Sequence, residues 1–90
     1  MARIAFSEVW NRIEINEGET FYQKRGQAFT YQIAGTTLKP CTTNRDLPRS
    51  EFEKAYCLVP IDGPGDINRL QGPSYLWAIL HDDRIRRSDW

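Results

Sequence analysis

The sequence predicts a small α+β domain built as an N-terminal helix, a three-stranded antiparallel meander and two C-terminal helices, in the order α-β-β-β-α-α. Three observations carry this. Apolar residues recur at helical spacing around residues 10 and 55. They alternate with polar ones between residues 29 and 33. Clusters of turn-forming residues separate these stretches.

Phe6, Val9, Trp10 and Ile13 fall at i, i+3, i+4 and i+7, one stripe of a helix. Glu8, Asn11 and Arg12 lie opposite, toward water. Asn16–Glu17–Gly18–Glu19 has the composition of a turn and ends the helix near Asn16. Thr20–Phe21–Tyr22–Gln23–Lys24 is rich in strand formers. Phe29–Thr30–Tyr31–Gln32–Ile33 alternates strictly, which puts Phe29, Tyr31 and Ile33 on a core face. The short connection Arg25–Gly26–Gln27–Ala28 predicts a hairpin between these two runs. Thr37–Leu38–Lys39 starts a weaker third strand after the Gly35–Thr36 turn. Pro40 lacks the donor of a central strand and belongs at its edge or end.

Ser50–Glu51–Phe52–Glu53 has the form of a capping box, in which Ser50 caps the helix start and Glu53 reaches back. Phe52, Ala55, Tyr56 and Val59 then make a second helical stripe, ended by Pro60. A loop follows, with a short turn around Ile67–Leu70. Gly72–Pro73–Ser74 opens the last helix, which runs through His81 and is apolar nearly all round, so it should be the most buried. Asp82 and Asp83 stop the apolar run. The order fits neither a winged helix nor an RNA-recognition motif.

Ninety residues make a single domain, residues 1–90, with the charged segment 84–90 a candidate for a mobile tail. The net charge of zero gives no global field toward nucleic acid or membrane. The chain has no secretory signal at its start and no apolar run near the ~20 residues of a spanning helix, so a cytoplasmic protein without membrane contact is expected. Cys41 and Cys57 match no zinc spacing and read as free thiols, Cys57 facing partly inward on its helix.

Candidate chemistry is sparse, and an enzyme is not the favoured reading. His81–Asp82–Asp83 joins one imidazole to two carboxylates, but consecutive helical residues do not converge on one point. Asp62–Gly63–Pro64–Gly65–Asp66 lacks the spacing and closing Glu of a calcium loop. Ser50 is explained as a cap, and Cys57 has no histidine in predictable reach. Gly72–Pro73–Ser74 could offer amides to an anion, although an ordinary helix start accounts for the same residues. No metal ligand set or cofactor is expected.

One charge pattern stands out. Between Glu19 and Asp46 the chain carries no acidic residue, while Lys24, Arg25, Lys39 and Arg45 lie there, with Arg49 just beyond. Hydrogen-bonding residues such as Thr30 and Gln32 are interleaved. This predicts a basic, acid-free sheet face, with Lys24, Arg25, Thr30, Gln32, Lys39, Arg45 and Arg49 as candidate nucleic-acid contacts in a non-enzymatic binding module. The wet side of any half-buried sheet has similar composition, and edge lysines also guard against aggregation. The alternative is a protein-interaction or self-associating, homo-oligomeric domain. Its motives are zero net charge and the 12% aromatic content, which includes Trp90 near the chain end.

Overall fold

The computed structural model describes residues 3–90. Helix α1 spans Phe6–Ile15 and buries Phe6, Val9, Trp10 and Ile13, the stripe expected from spacing. Five short strands follow: β1 (Phe21–Tyr22), β2 (Ala28–Phe29), β3 (Tyr31–Ala34), β4 (Thr37–Pro40) and β5 (Leu47–Pro48). Helix α2 covers Arg49–Tyr56, a 3-10 turn covers Pro64–Ile67, and helices α3 (Pro73–Leu80) and α4 (Asp83–Arg86) complete the chain. The α+β class and the helix–strands–helices order are those the sequence predicts.

The strands form two antiparallel sheets, a β1–β2 hairpin and a three-stranded β3–β4–β5 sheet. The run expected as one strand over Phe29–Ile33 changes partner at Thr30. Phe29 pairs with Phe21, whereas Tyr31 pairs with Pro40. At the junction the Thr30 carbonyl accepts the Cys41 amide at 2.9 Å, and the Thr30 amide points at the Cys41 sulfur at 3.2 Å. The other edge of β3 is covered by the turn after α1. There the Gly18 amide donates to the Tyr31 carbonyl at 3.0 Å, and the Ile33 amide to the Glu17 carboxylate at 2.6 Å. Pro40 lies at the end of β4, past the two β4 residues that pair with β5. The central strand therefore keeps its donors where it needs them.

Phe21, Phe29, Tyr31, Leu38 and Leu47 point from the two sheets into one core, shared with Phe52, Ile67, Leu76, Ile79, Leu80 and Ile85. Burial holds the hairpin more than its ladder does. A net backbone hydrogen bond contributes about 1 kcal/mol. A fully buried large apolar side chain contributes roughly 1.5–3 kcal/mol, and both Phe21 and Phe29 are buried. Burial also pushes the Tyr31 phenol well above its usual range. It stays protonated and donates to the Ile13 carbonyl at 2.5 Å, tying β3 to α1.

Several local expectations change. The capping box does not form: β5 leads straight into α2, Pro48 occupies the N-cap position in extended geometry, and Ser50 is exposed within the first turn. Glu51 is buried instead and accepts from the Gln71 amide and the Lys54 ammonium, each at 3.3 Å. The helix ends at Tyr56 rather than at Pro60, and Cys57 is exposed rather than inward. Val59 is nevertheless buried, carried inward by the chain after the helix. Helix α3 ends at Leu80 with His81 as its C-cap, and Asp82 caps α4, accepting the Arg84 amide at 2.9 Å. The charged segment 84–90 packs on the body through Ile85, which is fully buried, and through Trp90, whose indole donates to the Leu80 carbonyl at 2.7 Å and meets Tyr56 edge-on.

Arg12 shows why that segment docks. Expected in water, it is only 7% exposed. Its guanidinium reaches across to the Ile85 carbonyl at 2.8 Å and to the Asp89 carboxylate at 2.6 Å, with Glu8 at 3.7 Å on its own helix. Hydrogen bonds to a charged group contribute about 1.5–3 kcal/mol each when little water competes. Arg12→Met keeps the apolar stem and deletes these bonds. We expect it to lower unfolding free energy by roughly 2–3 kcal/mol in urea denaturation. A change below about 0.5 kcal/mol, the usual range for a surface substitution, would show that the C-terminal segment does not need this anchor.

Candidate functional site

The hairpin and the start of α3 face each other across a groove, and local backbone chemistry places each wall. In the β1–β2 turn the Gln23 amide donates to the Gln27 carbonyl at 2.9 Å and the Gly26 amide to the Gln23 carbonyl at 2.8 Å. Gly26 adopts φ +88°, a left-handed conformation that glycine enters without a Cβ clash. This tight turn puts Lys24 and Arg25 at the hairpin tip, both exposed.

The opposite wall is the loop before α3. Ile61 is clamped through both of its backbone groups. Its amide donates to Nε2 of His81 at 3.1 Å, and its carbonyl accepts the Trp77 indole at 3.1 Å. The Trp77 and His81 rings stack with centroids 5.3 Å apart. Lys24 bridges the walls, its Nζ donating to the Asp62 carbonyl at 2.6 Å and lying 5.8 Å from the Trp77 ring centre. A Cβ at Gly63 would come within 2.7 Å of that nitrogen, so this approach requires glycine or movement of the lysine. Gly72, at φ +61°, starts α3 against Leu47, where a Cβ would sit 2.7 Å from a Leu47 methyl.

Between the walls lies a cavity of about 740 Å³, bounded by Gln23, Lys24, Arg25, Gln27, Gly65 and Ser74 among others. A smaller one of about 300 Å³ continues past Lys24 toward Tyr22, Trp77 and Asp83. A third, of about 470 Å³, runs the other way along Gln27 and Ala28 to Thr42 and Tyr75. Gln23 lines all three, so together they trace the hairpin. Lys24 uses one of its three donors on Asp62.

The seven residues singled out by sequence do not share one sheet face. Lys24 and Arg25 line the groove. Gln32 and Lys39 are cross-strand neighbours on the outer side of β3–β4, and Lys39 lies 3.8 Å from the Asp46 carboxylate, which offsets its charge. Thr30 is at the junction of the two sheets. Arg45 is exposed in the loop before β5. Arg49 lies over the Phe6 ring, 5.1 Å from its centre. Tyr22, Gln23, Gln27 and Trp77 belong to the groove without having been singled out. Ser74 had one signal, as part of a helix start able to face an anion.

Other reactive groups are structurally engaged. His81 meets both of its bonds in only one tautomer, with Nδ1 donating to the Trp77 carbonyl at 3.0 Å and Nε2 accepting from Ile61. Cys41 is exposed, and the hydrogen bond from Thr30 holds its thiol below the usual range. Among the described residues no group of His, Cys, Asp and Glu is arranged to hold a metal ion, and no helix is long and apolar enough to cross a membrane.

Burial lowers the His81 pKa from 6.5; the bond to the Trp77 carbonyl opposes this, and Arg86 adds to the lowering. The neutral ring is thus the folded form. A protonated Nε2 would be a donor facing the Ile61 donor. The unfolded chain binds the proton more readily, so His81 contributes stability fully above pH 6.5 and loses it as pH falls through the lowered folded value. Urea unfolding across that window should show wild-type stability dropping with acid more steeply than His81→Gln. Equal slopes for the two proteins would rule out this role. In comparisons with known proteins, no family model, curated protein or solved structure matches the chain.

Proposed function

We propose that this chain is a non-enzymatic binding module that meets nucleic acid through the groove between the hairpin tip and the start of α3. The observation that carries this reading is the meeting of Lys24 and Arg25 with Ser74 and the amide side chains of Gln23 and Gln27 around one cavity. Cationic and neutral donors of this kind hold phosphate oxygens. The N-terminal end of the eight-residue α3 adds a partial positive charge on the same side.

With zero net charge overall, the attraction is local. It fades within about 8–10 Å at physiological salt. Binding is therefore modest and strongly dependent on ionic strength. A reducing compartment such as the cytoplasm suits the reading, because Cys41 and Cys57 are both exposed and unbridged.

A second reading, self-association, is favoured by Ile15 and Tyr22, which are 66% and 59% exposed despite their size. Sedimentation separates the two. A strict monomer at high protein concentration removes self-association.

The main test is fluorescence anisotropy with labelled single-stranded and duplex DNA over a salt series. Joint replacement of Lys24 and Arg25 by Ala should weaken binding about tenfold or more and reduce the salt slope by between one and two. Joint replacement of Lys39 and Arg45, which do not line the groove, should leave affinity nearly unchanged. No affinity even at low salt would end the nucleic-acid reading, and equal losses from both pairs would move it off this groove.

A further inference from the structure

The smaller cavity differs in character from the larger one, and the difference suits the other half of a nucleotide. We propose that it holds a base, so that the partner is a single strand whose base at this position carries an exocyclic amine: adenine, cytosine or guanine rather than thymine or uracil. This rests on the preceding reading, because the phosphate is taken to lie at Lys24 and Arg25.

Four features of the cavity carry the inference. Its walls include two aromatic side chains. Tyr22 is 59% exposed, although its strand neighbour Phe21 is fully buried. Trp77 is half-buried and fixed in place by its bond to Ile61 and its stack on His81. The open Tyr22 ring offers a base a stacking surface, and the fixed Trp77 ring lines the cavity beside it.

Secondly, the cavity shares Gln23 and Lys24 with the larger basic cavity, so a base and its own phosphate span adjoining spaces. Thirdly, its volume of about 300 Å³ is at the lower end of the range for small-ligand sites.

The fourth feature is charge. The far rim carries Asp82 and Asp83. Asp82 is committed to the Arg84 guanidinium at 2.9 Å and to the Arg84 amide at 2.9 Å. Asp83 is exposed, and its carboxylate is the acceptor the rim would offer. A carboxylate repels phosphate but accepts a hydrogen bond from a base amine. The groove therefore runs from cationic at the hairpin tip, through aromatic, to anionic at the start of α4. A strand lies across it with phosphate at one end and base edge at the other. In a duplex the base faces are stacked on one another, and this cavity has nothing to receive.

The test measures anisotropy with oligo-dC, oligo-dT, a duplex and free cytidine monophosphate, for wild type, Tyr22→Ala and Asp83→Asn. Both positions are exposed, and circular dichroism checks that each variant is folded. Oligo-dC should bind wild type more tightly than oligo-dT, the duplex or the mononucleotide. Tyr22→Ala should weaken oligo-dC about fivefold or more, the loss for one unsupported base. Asp83→Asn should abolish the preference for dC over dT, because an amide pairs with either base. Equal binding of single strand and duplex with a silent Tyr22→Ala overturns the base site and leaves the phosphate groove standing. Mononucleotide binding as tight as oligo-dC overturns the strand as partner. No binding of any nucleic acid overturns both readings together.

Discussion

Helix α3 brings Leu76, Ile79 and Leu80 into the centre of the molecule, and the remaining elements are arranged around covering them. Eight residues of helix have no stability of their own in water. Two-residue strands have none either. Each element persists because it buries its apolar face on another. The polar bonds that cross the sequence then fix the arrangement: Trp77 and His81 to Ile61, Trp90 to Leu80, Arg84 to the Thr20 carbonyl, and Arg12 to the C-terminal segment. The groove follows from the same constraint. The α3 helix packs closely enough to the hairpin for Phe29 to meet Tyr75 edge-on, with ring centres 4.9 Å apart, and polar residues line the space left beside that contact.

Much of this fold was legible in the sequence, because periodicity reports burial directly. The Phe6–Ile13 stripe, Phe29 and Tyr31 of the alternating run, and Leu76, Ile79 and Leu80 of α3 point inward as spacing requires. What escaped were features set by tertiary partners. The switch of pairing partner at Thr30 depends on where Cys41 arrives. The β5 strand is two residues long and contains a proline, so nothing local marks it. The capping-box pattern at Ser50 was overridden because α2 continues directly from a strand, and Pro48 takes the cap position. Arg12 was assigned to water because a charge on the polar side of a helix normally lies there, and its carboxylate partner is 77 residues away in the chain at Asp89.

The site was legible only in part. The acid-free stretch includes Lys24 and Arg25, which line the groove, but linear clustering of charge carries no information on which side of a sheet a residue faces. Lys39 is opposed by Asp46, the first acid after the stretch, and Arg49 is folded back on Phe6. The residues that complete the groove come from a distant part of the chain. Trp77 and Ser74 belong to the helix that looked most buried, yet both are only partly buried. The groove is thus a product of topology, with its polar contacts supplied by the turns at either side.

The most direct test of this account is backbone amide mapping by NMR during titration with a short single-stranded oligonucleotide at low salt. The account predicts that the largest shifts fall on Gln23, Lys24, Arg25, Gln27 and Ser74, while Gln32 and Lys39 on the outer side of β3–β4 stay in place. Shifts concentrated on Gln32 and Lys39, or an unperturbed spectrum at saturating oligonucleotide, would contradict it.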